Sequence, residues 1–126
     1  MRIIIAGTRT FNDYEMFRDN VKDILSDIKT DDIEIISGHA RGVDQFGERF
    51  AKEFKYKLKI FPADWNARGK SAGYLRNIEM SQYASENKEG MLIAFWDGYS
   101  KGTNHMINIA KEYKLDVQII RYTPLE

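Results

Sequence analysis

An alternation of two hydrophobic periods limits the fold of this chain more than any other feature. Five short apolar, largely β-branched runs, residues 2–6, 33–36, 57–61, 91–96 and 117–122, each have the length of a strand. The segments between them change to helical spacing. Tyr14, Phe17, Val21, Ile24, Leu25 and Ile28 form one stripe, Val43, Phe46, Phe50 and Phe54 a second, and Met106, Ile109, Ala110 and Tyr113 another. Residues 70–86 are less regular, with Leu75, Ile78, Tyr83 and Ala84 as apolar marks, and read as a helix too. A βαβαβαβαβ order predicts an α/β, Rossmann-like fold: a parallel sheet with helices on both faces and right-handed crossovers.

Ligands of such sheets bind beyond the carboxyl ends of the strands, where the strand order reverses, so the residues after each strand matter most. The first strand is followed by Gly7-Thr8-Arg9, the second by Ser37-Gly38-His39-Ala40-Arg41-Gly42-Val43-Asp44. The third leads through Pro62-Ala63-Asp64-Trp65 into residues 69–77, and the fourth into Asp97-Gly98-Tyr99-Ser100-Lys101-Gly102-Thr103-Asn104. Seven of the nine glycines fall in these four loops, which points to one site assembled at one edge.

Composition narrows the chemistry. The chain has no cysteine, so thiolate chemistry and thiolate metal sites are excluded. Its 126 residues suffice for one domain, read as residues 1–126, with a core that needs no staples. The 19 basic and 19 acidic residues divide evenly about residue 63, which argues against a non-specific duplex-DNA binder or a basic membrane anchor. The apolar runs at residues 3–6 and 91–96 are too short for a signal-peptide core or a membrane span, so a soluble cytoplasmic protein is expected. Charge is nevertheless uneven: residues 13–29 carry five acids and three bases, whereas residues 66–76 carry three bases and no acid.

In order and spacing these loops resemble the SLOG superfamily, and within it the YspA-like branch of bacteria and phages. The resemblance rests on Gly7-Thr8-Arg9 with Phe11, Ser37-Gly38-x-Ala40-Arg41-Gly42-x-Asp44, Ala63-Asp64-Trp65, Gly69-x-x-Ala72-Gly73-x-x-Arg76-Asn77-x-x-Met80 and Gly102-Thr103. It implies a three-layer fold with sheet order 3-2-1-4-5, a pocket for a nucleotide or nucleotide-derived ligand, and a homodimer or larger homo-oligomer paired through helices. Related members include the lonely-guy phosphoribohydrolases and the DNA-processing protein A core. The phosphoribohydrolases carry Pro-Gly-Gly-x-Gly-Thr-x-x-Glu, and the position of their catalytic glutamate is Met106 here. A thioether can neither stabilise an oxocarbenium-like centre nor move a proton, so the reading leans away from that enzyme.

Read residue by residue, Gly102-Thr103 opens the fourth helix, where unpaired amides, the positive end of the dipole and a hydroxyl suit a phosphate, with Lys101 beside them. The plain alternative is a helix cap at Thr103. Gly7 would admit a ligand close to the backbone next to Thr8, and Arg9 could fork onto a phosphate. Ser37, Gly38 and Arg41 lead into the second helix in the same way. Asp44 reads as a partner of the helix dipole, and His39 as a loop residue, neither base nor metal ligand. Arg68, Lys70 and Arg76, flanked by Trp65 and Tyr74, suit a phosphate joined to a stackable base, with Asn77 and Asp64 nearby. No metal or cofactor is called for. Asp97 and Glu79 are the carboxylates that a glycosidic cleavage could use. The expected function is binding of a small nucleotide-derived ligand by a sensor or sequestering module. The alternatives are an N-glycosidic-bond enzyme and, less favoured, a single-stranded DNA binder.

Overall fold

The computed structural model describes residues 1–64, 66, 69–87 and 89–123, with only the backbone of residue 70. In chain order the elements are β1 (Arg2–Gly7), α1 (Tyr14–Ser26), β2 (Glu34–Ser37), α2 (Val43–Glu53) and β3 (Lys57–Ile60). A short 3-10 turn, Gly69–Ser71, then leads into α3 (Ala72–Ser85), followed by β4 (Gly90–Trp96), α4 (Lys101–Glu112) and β5 (Asp116–Arg121). All four strand pairings are parallel and the order is β3-β2-β1-β4-β5. The alternation of periods in the sequence is thus realised as a three-layer α/β sandwich.

Strand pleating divides the core in two. Ile3 and Ile5 of β1, with Met91, Ile93 and Phe95 of β4, face α1 and α2, where Phe17, Val21, Val43 and Phe50 are buried. Ile4, Ala6, Leu92 and Ala94 point the other way, onto Met80 and Ala84 of α3 and Met106, Ile107 and Ala110 of α4. Central strands buried on both faces account for the unbroken apolar runs. Edge strand β3 is largely exposed and alternates lysine with apolar residues, which blunts the edge against further pairing.

Helix starts are set locally. Asp13 caps α1 by accepting the Met16 amide at 3.1 Å, and Ser100 caps α4 by accepting the Thr103 amide at 3.4 Å. The third helix departs from its sequence pattern. Its buried residues are Ala72, Asn77, Met80, Ser81 and Ala84, while Leu75 and Ile78 are only half-buried. Of these, Asn77 and Met80 border a cleft and Ala84 packs on the sheet, so apolar marks alone misplace the inner face.

No described helix is long and apolar enough to cross a membrane.

Candidate functional site

Two clefts open side by side at the carboxyl edge of the sheet. The first, about 280 Å³, lies where β1 and β4 send their connections to opposite faces. Its walls are Gly7, Thr8 and Arg9 after β1, Asp44 at the start of α2, Arg76, Asn77 and Met80 on α3, and Gly102, Thr103 and Met106 on α4. The first helical bond of α4 runs from the Asn104 amide to the Ser100 carbonyl, so the amides of Lys101 and Gly102 precede the helical ladder. A Cβ built on Gly102 would meet no atom within 4 Å.

Three other glycines of the edge are explained by packing, whereas Gly69, at φ +56°, also has open space around it. A side chain on Gly7 would run into the Phe95 carbonyl and Val43. Gly42, at φ +75°, brings the start of α2 against the carbonyls of Thr8 and Arg9, a conformation and an approach that only glycine permits. At Gly38 the missing Cβ leaves room for the Arg76 guanidinium, whose Nε would lie 2.8 Å from it.

Asp44 ties the loops together. It is 3% exposed, accepts the Ala40 amide at 3.3 Å, and also bonds the Gly7 backbone. Burial pushes its carboxyl up from 3.8 to about 6, against the opposing pull of Arg76 and these amides. Arg76 is shifted downward by the same desolvation, eased by Asp44. Its Nη1 donates to the Gly38 carbonyl at 2.9 Å, while its buried Nε has no partner among the described residues. Asn77 is 4% exposed and is oriented by the Gly102 carbonyl at 3.4 Å and by His105 Nδ1 at 3.1 Å. The His105 ring packs on Tyr74 at 4.4 Å, and burial lowers its pKa.

The second cleft, about 310 Å³, is lined by Arg9, Gly38, His39, Ala40, Arg41, Pro62, Ala63 and Arg76. Arg9, Ala40 and Arg76 belong to both clefts and form the ridge between them.

The structure therefore gathers Gly7, Thr8, Arg9, Arg76, Asn77, Gly102 and Thr103 around the first cleft, and Gly38 and Arg41 around the second. Four other candidates line neither. The Ser37 hydroxyl is buried and donates to Glu48 at 2.7 Å. The Asp97 carboxylate accepts the Tyr99 and Ser100 amides at 2.8 and 2.9 Å and so shapes the loop before α4. Asp64 and Lys101 are exposed. Glu79 is exposed on α3, away from both clefts. Trp65 and Arg68 lie outside the described residues, as does the side chain of Lys70.

Three roles come out differently from the sequence. Ser100, not Thr103, caps α4. Asp44, expected only to complement the dipole, is a wall of the first cleft and a clasp between two loops. His39 is not a bare loop residue, because its Nδ1 lies 2.8 Å from the Glu48 carboxylate. That partner stands nine positions ahead, inside α2, where no spacing rule for loop ligands reaches it. Among the described residues no group of three or more metal-ligating side chains occurs.

An α/β sheet of this order, with a helix start and guanidinium groups converging on its switch point, defines a Rossmann-like protein with a polar cleft at its carboxyl edge. Residues 1–67 match the family model described as YspA, cpYpsA-related SLOG family. Over 124 residues the chain is 32% identical to the Gene 61 protein of Mycobacterium phage D29, covering 92% of this chain and 93% of that protein. The chain belongs to the YspA, cpYpsA-related SLOG family. No solved structure gives a match.

Proposed function

We propose that this protein binds a small nucleotide-derived ligand, as a sensor or sequestering module, with a phosphate of that ligand in the first cleft at the amino end of α4. One observation carries the reading: Gly102 sits in the first turn of α4 with open space where a side chain would be. A helical glycine costs about 0.5–1 kcal/mol relative to alanine, and no packing neighbour requires it here. The missing side chain leaves room for an oxygen ligand to approach the Lys101 and Gly102 amides. Thr103 and Asn77 border the same space, and Arg9 and Arg76 supply countercharge from across the cleft. Membership of the SLOG family agrees with nucleotide-related chemistry.

Isothermal calorimetry and thermal shift with mono-, di- and cyclic nucleotides, NAD and ADP-ribose test it. At least one compound is expected to bind and to raise the melting temperature in proportion to the logarithm of its concentration. Silence across the panel at millimolar concentration sinks the reading.

Cleavage of an N-glycosidic bond is a second reading, and Asp44 is what favours it. It is the carboxyl group among the residues lining the first cleft, and at about 6 it is poised to give or take a proton near neutrality. The thioether of Met106, 1% exposed in the same wall, contributes no acid–base chemistry. Release of free base from a bound nucleoside monophosphate, lost in Asp44→Asn with binding retained, distinguishes turnover from binding alone.

A further inference from the structure

The second cleft holds a group that the proposed function leaves unused. His39 Nδ1 lies 2.8 and 3.0 Å from the two carboxylate oxygens of Glu48. The Glu48 side chain is 8% exposed and accepts the Ser37 hydroxyl at 2.7 Å, while Ser37 Oγ in turn accepts the His39 amide at 3.0 Å. One buried carboxylate and its hydroxyl neighbour thus hold both the ring and the backbone of His39, whose φ of +61° is in the left-handed region.

A carboxylate at Nδ1 selects the tautomer with its proton there and leaves the lone pair on Nε2. Nε2 makes no hydrogen bond among the described residues. The His39 side chain is 53% exposed and lines the second cleft together with Arg9, Arg41 and Arg76. An imidazole locked by a buried carboxylate is an orienting device for acid–base or nucleophilic work. Three guanidinium groups around the same space identify the class of substrate, because their forked donors fit the non-bridging oxygens of a phosphoryl group.

We propose that His39 Nε2 accepts a phosphoryl group from a phosphate ester or anhydride seated in this second cleft. The Nε2 lone pair forms the N–P bond as the P–O bond to the leaving group breaks. The electron pair departs on that oxygen, which takes a proton from water if it is an alkoxide and needs none if it belongs to a phosphate or carboxylate. The ring becomes an N-phosphoimidazolium, with its positive charge against Glu48. Water then attacks phosphorus, the N–P electrons return to Nε2, and inorganic phosphate leaves with the water's oxygen, its surplus proton passing to solvent. Glu48 touches no substrate and is a positioning residue. From the proposed function this inference takes only the phosphate character of the ligand, and it requires no nucleotide in the first cleft.

The full chain is incubated with acetyl phosphate or with ATP, and the product is examined by intact-mass and peptide mass spectrometry at neutral pH. The expected result is one acid-labile phosphoryl group on His39. The chain has a single other histidine, His105, whose ring is engaged by Asn77 and Tyr74 and which serves as an internal control. His39→Gln, melting like the parent, gains no label. Glu48→Gln keeps hydrogen-bonding groups in place of the carboxylate and cuts labelling by about tenfold or more. Nitrogen NMR of the unmodified variant then shows His39 losing its Nδ1–H form, a change that a merely structural role for Glu48 would not produce. No label from either donor, or a label that survives His39→Gln, overturns the proposal. Nucleotide binding without a label overturns this inference and leaves the proposed function intact; a label without nucleotide binding does the reverse.

Discussion

The two clefts share a ridge yet present their polar groups in opposite ways. In the first, the donors are backbone amides at the start of α4 and a buried amide side chain, Asn77, backed by Met80 and Met106, which are each 1% exposed. All of these are fixed once the chain has folded. In the second, beyond Arg9 and Arg76, which it shares with the first, the donors are the ends of Arg41 and His39, which are exposed. Only His39 has its ring held there by a buried group. A site built on backbone is preorganised, so little ordering entropy is lost on binding and the shape it accepts is narrow. A site built on long side chains tolerates more shapes and loses rotamer freedom for each contact. On the proposed function, one fold edge would offer a selective seat for a phosphate beside a tolerant one.

Removing the shared ridge should have the largest effect. Arg76→Ala deprives the Gly38 carbonyl of its donor and leaves Asp44 without the guanidinium that offsets its burial. A loss on the order of 3–4 kcal/mol is expected in denaturant melts near pH 7. Ligand binding in the first cleft should fall with it. Pairing the change with Asp44→Asn should recover more stability than Asp44→Asn adds to the parent, because the buried charge that Arg76 offsets is then gone. A loss below about 1 kcal/mol, or strict additivity in the double variant, would show that the clefts are independent.

Asp44 differs from Glu48, the carboxylate behind His39, in having no side-chain hydrogen-bond partner among the described residues, and its protonation reports that difference. The folded-state carboxyl, at about 6, holds its proton more tightly than one at the ordinary 3.8. Its contribution to stability is therefore fully present below about pH 4 and is lost as pH rises through about 6. At neutral pH the buried charge costs up to about 3 kcal/mol. Asp44→Asn should remove this dependence, stabilising the free protein by about 1–3 kcal/mol at neutral pH while changing little near pH 4. Melts of parent and variant that run parallel across that range would contradict it.

These roles also mark where the sequence is legible. The central strands can be read because burial on both faces demands continuous apolar residues, and the edge that carries the two clefts is the one where the glycines gather after the strands. Helix α3 was legible as a helix but not in its facing, since Asn77 and Ser81 point inward. The partners of Asp44 and His39 are not legible in the sequence for a common reason. Their partners, the amides of Gly7 and Ala40 and the carboxylate of Glu48, are brought to them by strand order and by the turn at Gly42, and no local period encodes either meeting.

The first cleft can be closed without touching its charges. Gly102→Ala puts a methyl group into the empty space at the start of α4. The free protein should be unchanged or stabilised by up to about 1 kcal/mol, since alanine is the better helix former. Affinity for the nucleotide ligand should drop by about tenfold to a hundredfold, or about 1.4–2.7 kcal/mol. Opposite signs for stability and affinity are the mark of a glycine kept for a ligand. A variant that is stabilised and binds as before would show that the space is ordinary solvent.

The smallest effect is expected at Lys101, the sequence's most obvious cation near the phosphate position. It occupies the first turn of α4, but its side chain is exposed and lines neither cleft. Its charge would act on a bound phosphate through solvent, where an interaction over several ångströms is screened to a few tenths of a kcal/mol. Lys101→Ala should therefore weaken binding by about two- to threefold at low salt, and the difference should vanish as ionic strength rises. Gly102→Ala should keep its full effect in the same salt series, because a steric block is not screened. If the lysine variant instead lost as much affinity as the glycine variant, recognition in the first cleft would rest on side-chain charge, and the contrast with the second cleft would fail.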